Sequence, residues 1–102
     1  MRFLFIASFP VEAGNASAKK DGFRAIQIIL EEQKPEAVYF TTVNGLRSCW
    51  MIVHMNDASE MAVLAEPWFL ALNAAVEWKP VMVPADLAKA GPAVEQAVKT
   101  YG

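Results

Sequence analysis

Between Arg2 and Phe9 the chain is almost continuously apolar, and then it meets Pro10. A short run of Phe, Leu and Ile closed by a residue that cannot donate to a ladder predicts a first strand. Val11 to Asn15, which holds Gly14, reads as a loop. From about Ser17 the period changes: Phe23, Ile26, Ile29 and Leu30 recur three or four positions apart, with Lys19, Lys20, Asp21, Arg24, Glu31, Glu32 and Lys34 between them. That pattern predicts one amphipathic helix ending at Lys34, ahead of Pro35. Glu36 to Val43 returns to β-branched and aromatic residues, a second strand. Asn44-Gly45 suits the two positive-φ positions of a type I′ turn, so Leu46 to Met55 is a third strand antiparallel to the second. A second helix opens at Asn56–Glu60, where Asp57 is the cap and Glu60 the capping-box acid. Met61, Leu64, Ala65, Trp68 and Leu72 form its stripe, and Pro67 inside the stripe predicts a kink or a break. Ala75 to Val83 is a fourth strand, which Pro80 assigns to a sheet edge or a bulge. The tail reads as one helical turn over Asp86–Ala90, a stop at Gly91, and a last helix from Pro92 with Val94, Val98 and Tyr101 on one side.

The order is therefore β-α-β-β-α-β with a helical tail. It predicts one ferredoxin-like α+β domain over residues 1–102, with a core to about 84 and a tail over 85–102. Its sheet has four antiparallel strands and carries both helices on one face. The two-residue turn sets the register: Val43 opposes Leu46, Thr41 opposes Ser48, Tyr39 opposes Trp50 and Ala37 opposes Ile52. Val38, Phe40, Thr42, Arg47, Cys49, Met51, Val53 and Met55 then share one face, and Tyr39, Thr41, Ser48, Trp50, Ile52 and His54 share the other. Neither set is polar. The expectation is that Phe40, Cys49, Met51 and Val53 pack under the helices while the Tyr39/Trp50/His54 face is covered by a second copy of the chain in a C2 homodimer.

Composition strengthens that expectation. Apolar residues make up 55% of the 102 and charged residues only 20%, against about 45–50% and about 25% in ordinary domains. So small a domain has little interior in which to hide six Phe and three Trp. Each Trp or Tyr taken from water removes roughly 150–250 Å², so a few of them contribute several kcal/mol to association. Phe3–Phe9 falls far short of the about 20 residues of a membrane span and reads as a strand rather than a signal peptide, which points to a cytoplasmic protein. A net charge of −2 with no basic stripe argues against nucleic acid. One cysteine, Cys49, excludes an internal disulfide. Asn15-Ala16-Ser17 matches a glycosylation pattern, by chance in a protein that is not secreted.

Four stretches resemble the dimeric α+β-barrel superfamily, and within it an uncharacterised bacterial family. They are Arg2-Phe3-Leu4-Phe5, the hairpin into Val53-His54-Met55-Asn56-Asp57, Trp68 late in the second helix, and Val76-Glu77-Trp78-Lys79-Pro80-Val81. The resemblance spans about residues 1–90 and implies two ferredoxin-like sheets packed face to face. That superfamily holds cofactor-free monooxygenases, lactone isomerases, haem enzymes and ligand-binding regulator domains. No catalytic motif matches residue by residue.

The candidate chemistry is sparse. His54, the only histidine, is a candidate general base or haem ligand, but with no orienting partner in view the preferred reading is an ordinary hydrogen-bonded interface histidine. With Cys49 on the opposite face, the pair makes a poor ligand set for a metal or haem, so no cofactor is expected. Cys49 under the helices reads as an inert hydrophobe. Tyr39, Trp50 and Trp78 are candidates to line an aromatic pocket with Thr41 and Ser48 as orienting hydroxyls, set against plain packing across a dimer. Arg47 is a candidate partner for an acidic ligand group, although an arginine at a strand end is more often solvated. Trp68 reads as a core anchor, and Glu31-Glu32 as a solvated face. Three readings follow: a dimeric domain binding a small apolar or aromatic molecule, which is preferred; a cofactor-independent monooxygenase- or isomerase-like enzyme using His54; and a structural or interaction module. The ligand's identity, assembly beyond a dimer and the role of the tail stay open.

Overall fold

Phe3, Phe5 and Ala7 alternate with Leu4, Ile6 and Ser8 along Arg2–Ser8, the strand β1. A strand with two apolar faces belongs in the middle of a sheet, and a computed structural model describing residues 1–102 places it there. With β2 (Ala37–Val43), β3 (Leu46–His54) and β4 (Ala75–Pro80), it forms a four-stranded antiparallel sheet in the order β2-β3-β1-β4, an α+β architecture of the ferredoxin-like kind. The β2–β3 register is the one expected, from Val43 opposite Leu46 to Ala37 opposite Ile52. Asn44 and Gly45 both take positive φ, at 51° and 78°, as the two-residue turn requires. β4 lies at the edge, its Pro80 opposite Phe3, so the missing N–H interrupts no inner ladder.

The helices differ from the single first helix expected. They are α1 (Val11–Asp21), α2 (Arg24–Gln33), α3 (Glu60–Leu72) and α4 (Pro84–Tyr101). The segment read as a loop is the first turn of α1, and the chain breaks at Gly22-Phe23 instead. Gly22 donates to the Ala18 carbonyl at 3.1 Å, the bond of an αL helix ending, and Phe23 donates to that of Ser17 at 3.2 Å. Both residues have positive φ, at 62° and 64°, and the Asp21 carboxylate then accepts the Arg24 N–H at 3.1 Å to start α2. The break turns the chain so that α2 can lay Ile26 and Ile29 on the sheet.

Pro67 does not break α3, which is continuous. The carbonyl that its ring crowds belongs to Val63, an exposed residue that water can serve. One turn on, Gln33 of α2 stitches the two helices together. Its side-chain amide donates to the Leu64 carbonyl at 2.9 Å and accepts the Trp68 indole N–H at 3.3 Å. Ahead of α3, whose N-cap is Ser59 and not the expected Asp57, the Glu60 carboxylate accepts from the N–H groups of Asn56 (2.6 Å) and Asp57 (3.1 Å), and the Asp57 carboxylate accepts from Ser59. The core lies between the sheet and α2/α3: Phe5, Ala7, Cys49, Met51 and Val53 from the strands meet Ile26, Ile29, Ala65, Trp68 and Leu72. Phe40 does not pack under the helices as expected. It lies on the edge strand β2 and is 59% exposed.

Two surfaces stay uncovered. The far side of the sheet runs Ala37/Ile52/Leu4/Lys79 across one row and Tyr39/Trp50/Ile6/Glu77 across the next. The other surface is α4, continuous over 18 residues where two helical pieces were expected, and none of its residues is buried. Pro92 crowds the Ala88 carbonyl, but α4 is exposed all round, so that carbonyl can tilt outward to water. The radius of gyration, 17.3 Å, exceeds the about 13 Å of a 100-residue domain, and the longest axis is 59 Å. No helix is long and apolar enough to cross a membrane.

Candidate functional site

The chain break that produces α2 also opens a cleft. Where Gly22-Phe23 lifts the start of α2 away from the hairpin, a hollow of about 440 Å³ remains between them. Phe9, Phe23, Ile26, Leu30 and Phe40 supply its apolar walls, and Gln27, Arg47, Thr41 and Ser48 complete the rim. Its volume is that of an ordinary small-molecule site. Phe23 is its most unusual wall. Positive φ is uncommon outside glycine and a genuine outlier for a bulky side chain, and strain of this kind concentrates at ligand-binding positions.

Arg47 stands at the rim with its geometry set by three neighbours. Its Nη1 donates to the Asn15 side-chain carbonyl at 3.0 Å, and its guanidinium carbon lies 5.6 Å from the centroid of the Phe23 ring. A side chain on Gly14 would put Cβ only 2.6 Å from Nη1, so glycine there makes the room. The Arg47 carbonyl also accepts the Phe9 N–H at 3.1 Å, which extends the β1–β3 pairing along the sheet side of the cleft.

By register Thr41 and Ser48 share the open face with Tyr39, Trp50 and His54, but they also border the cleft. The Ser48 hydroxyl is already engaged, donating to the Ala7 carbonyl at 3.2 Å and lying 2.9 Å from the Ser8 hydroxyl. Tyr39, Trp50 and His54 belong to the open face, away from the cleft. Tyr39 is 69% exposed, and the half-buried Trp50 holds its indole N–H out of water with no acceptor. Trp78 joins neither group. It pairs with Phe5 on the helix side of the sheet and packs edge-on against Phe5 and Phe3, at centroid distances of 4.8 and 6.3 Å. Cys49 is fully buried, and burial pushes its thiol up to about 12. Trp68 is fully buried in the core, and Glu31 and Glu32 are exposed.

A second polar cluster closes the end of the sheet. Glu36 accepts from Arg2 Nε at 3.1 and 3.2 Å, and its Oε1 also lies 3.4 Å from His54 Nε2. The hydrogen bond from Arg2 holds the Glu36 carboxyl below the usual carboxylate range, with His54 adding to the effect. His54 thus has a carboxylate beside it, which the sequence did not suggest, because Glu36 precedes β2 and meets His54 only through the sheet. Arg2, His54 and Asp86 border a second hollow there, of about 600 Å³. No group of three or more His, Cys, Asp or Glu is placed to hold a metal ion.

The family that matches, over residues 1–95, is described as a domain of unknown function (DUF3303). No curated protein and no solved structure matches the chain.

Proposed function

The chain belongs to the DUF3303 family, and from its own geometry we propose that it is a cytoplasmic small-molecule-binding domain that works as a homodimer. The observation that carries the binding reading is the cleft between α2 and the hairpin: about 440 Å³, walled by Phe and branched aliphatic side chains, and held open by a strained aromatic residue. An apolar hollow of that size on a small domain is the place where a flat or chain-like organic molecule gains most from leaving water. Titration of the isotope-labelled protein with 2-naphthol, a neutral flat probe, is expected to shift the amide resonances of Phe23, Ile26, Leu30 and Phe40. Millimolar probe that leaves those resonances in place would refute the reading.

Support for the dimer comes from area. The protomer exposes 6931 Å², whereas a folded monomer of this mass exposes about 5,700 Å². The excess exceeds the about 800 Å² per partner buried in a standard interface. Leu4, Tyr39 and Ile52 on the bare sheet face, with the apolar stripe of α4, supply that area from this chain itself.

One observation favours a second reading, a cofactor-independent enzyme using His54. The carboxylate of Glu36 lies against its imidazole, the arrangement that orients a general base. If that reading holds, His54→Ala removes turnover of whatever substrate is found, and Glu36→Gln lowers it.

A further inference from the structure

We infer that the molecule taken by the cleft carries a carboxylate, and that Arg47 is its recognition residue. The inference rests on the binding reading above and adds the chemical class of the ligand.

An arginine near a protein surface ordinarily either waves in water or meets an acidic side chain. Arg47 does neither. The protein's ion pairs join Arg2 and His54 to Glu36, and Lys79 to Glu77, and none involves Arg47. Yet its guanidinium is held in place: from one side by the Asn15 carbonyl oxygen, from beneath by the Phe23 ring, and beside a glycine whose missing side chain leaves the space it occupies. An amide oxygen and an aromatic face orient a cation without neutralising it. Only one of the five guanidinium N–H donors is used inside the protein, so a fork of donors remains at the mouth of an apolar hollow. That combination matches a planar carboxylate joined to an apolar body: two parallel N–H···O bonds at the rim, and rings or methylenes against Phe23, Ile26 and Phe40 within. Phe23 serves both halves, as the wall of the hollow and the platform under the guanidinium. Such a double role is a reason for an aromatic residue to persist at a backbone angle that would suit glycine.

The test uses the full-length protein and two probes of one shape, 2-naphthoate and 2-naphthamide, titrated by calorimetry and by amide resonances. The wild type is expected to bind the carboxylate at least tenfold more tightly than the amide. Arg47→Gln is expected to erase that preference, and Arg47→Lys, which keeps the charge and loses the fork, to keep only part of it. The Arg47 Nε–H resonance supplies a measurement without substitution, and it should move with naphthoate and stay with naphthamide. Equal affinity for the two probes, with shifts still mapping to the cleft, would overturn the carboxylate while leaving the pocket standing. Failure of both probes to perturb the cleft would overturn pocket and carboxylate together.

Discussion

At the scale of single residues, the strongest constraints come from polar groups with one available partner. The Trp68 indole is fully buried and meets only the Gln33 side chain. Gln33→Leu removes that acceptor and leaves a buried donor alone, so it should cost roughly 1–3 kcal/mol, read from the urea midpoint at unchanged slope. Cys49 makes a second case. With its thiol pushed up from the ordinary range near 9 to about 12, the folded protein should resist Ellman's reagent until it unfolds. The pH dependence has a definite sign. Between pH 9 and 12 the unfolded chain releases the thiol proton and the folded one keeps it, so stability is full below that window and falls through it as pH rises. Denaturant titrations should show the wild type losing more stability than Cys49→Ala over this range, and equal losses would show that the thiol is not the cause.

At the scale of elements, what could be read in the sequence depended on whether the deciding contact was local. The Asn44-Gly45 turn set a whole hairpin register because two adjacent residues specify the geometry. The break at Gly22-Phe23 was invisible for the opposite reason: the helical period runs through it, and Phe is among the last residues expected at positive φ. The cleft depends on that break, and the setting of Arg47 depends on Gly14 and Asn15, which look like loop residues and fold as helix. Arg47 itself was a visible candidate, but its neutral restraints were not. Two glycines test the element-level account. Gly22 has a φ of 62° and open space around its Cα, so alanine there should destabilise by backbone strain alone, about 1–2 kcal/mol. Gly91 sits within α4 at an ordinary helical angle, directly before Pro92. There the helix propensity that alanine gains, about 1 kcal/mol, is opposed by the contact of its Cβ with the Pro92 ring, so ellipticity at 222 nm and the midpoint should stay near the wild-type values.

At the scale of the whole molecule, the excess of large apolar residues in the composition meets a structure in which only 16 of 102 residues are buried. Two surfaces absorb the difference, and a partner copy is the simplest cover for them. Tyr39→Glu is a clean test, because a side chain 69% exposed contributes little inside one protomer. Sedimentation equilibrium at tens of micromolar should find the wild type as a dimer and the variant as a folded monomer. A wild type that sediments as a monomer would rule the assembly out. The tail helix adds a geometric consequence. Leu87, Gly91, Val94, Val98 and Tyr101 follow one another at intervals of four, three, four and three residues, an average of 3.5. On a straight helix a seam of that spacing drifts by about 20° every seven residues. Whatever helix lies along it must therefore cross at a shallow angle near 20°, winding to the left, instead of cutting squarely over it.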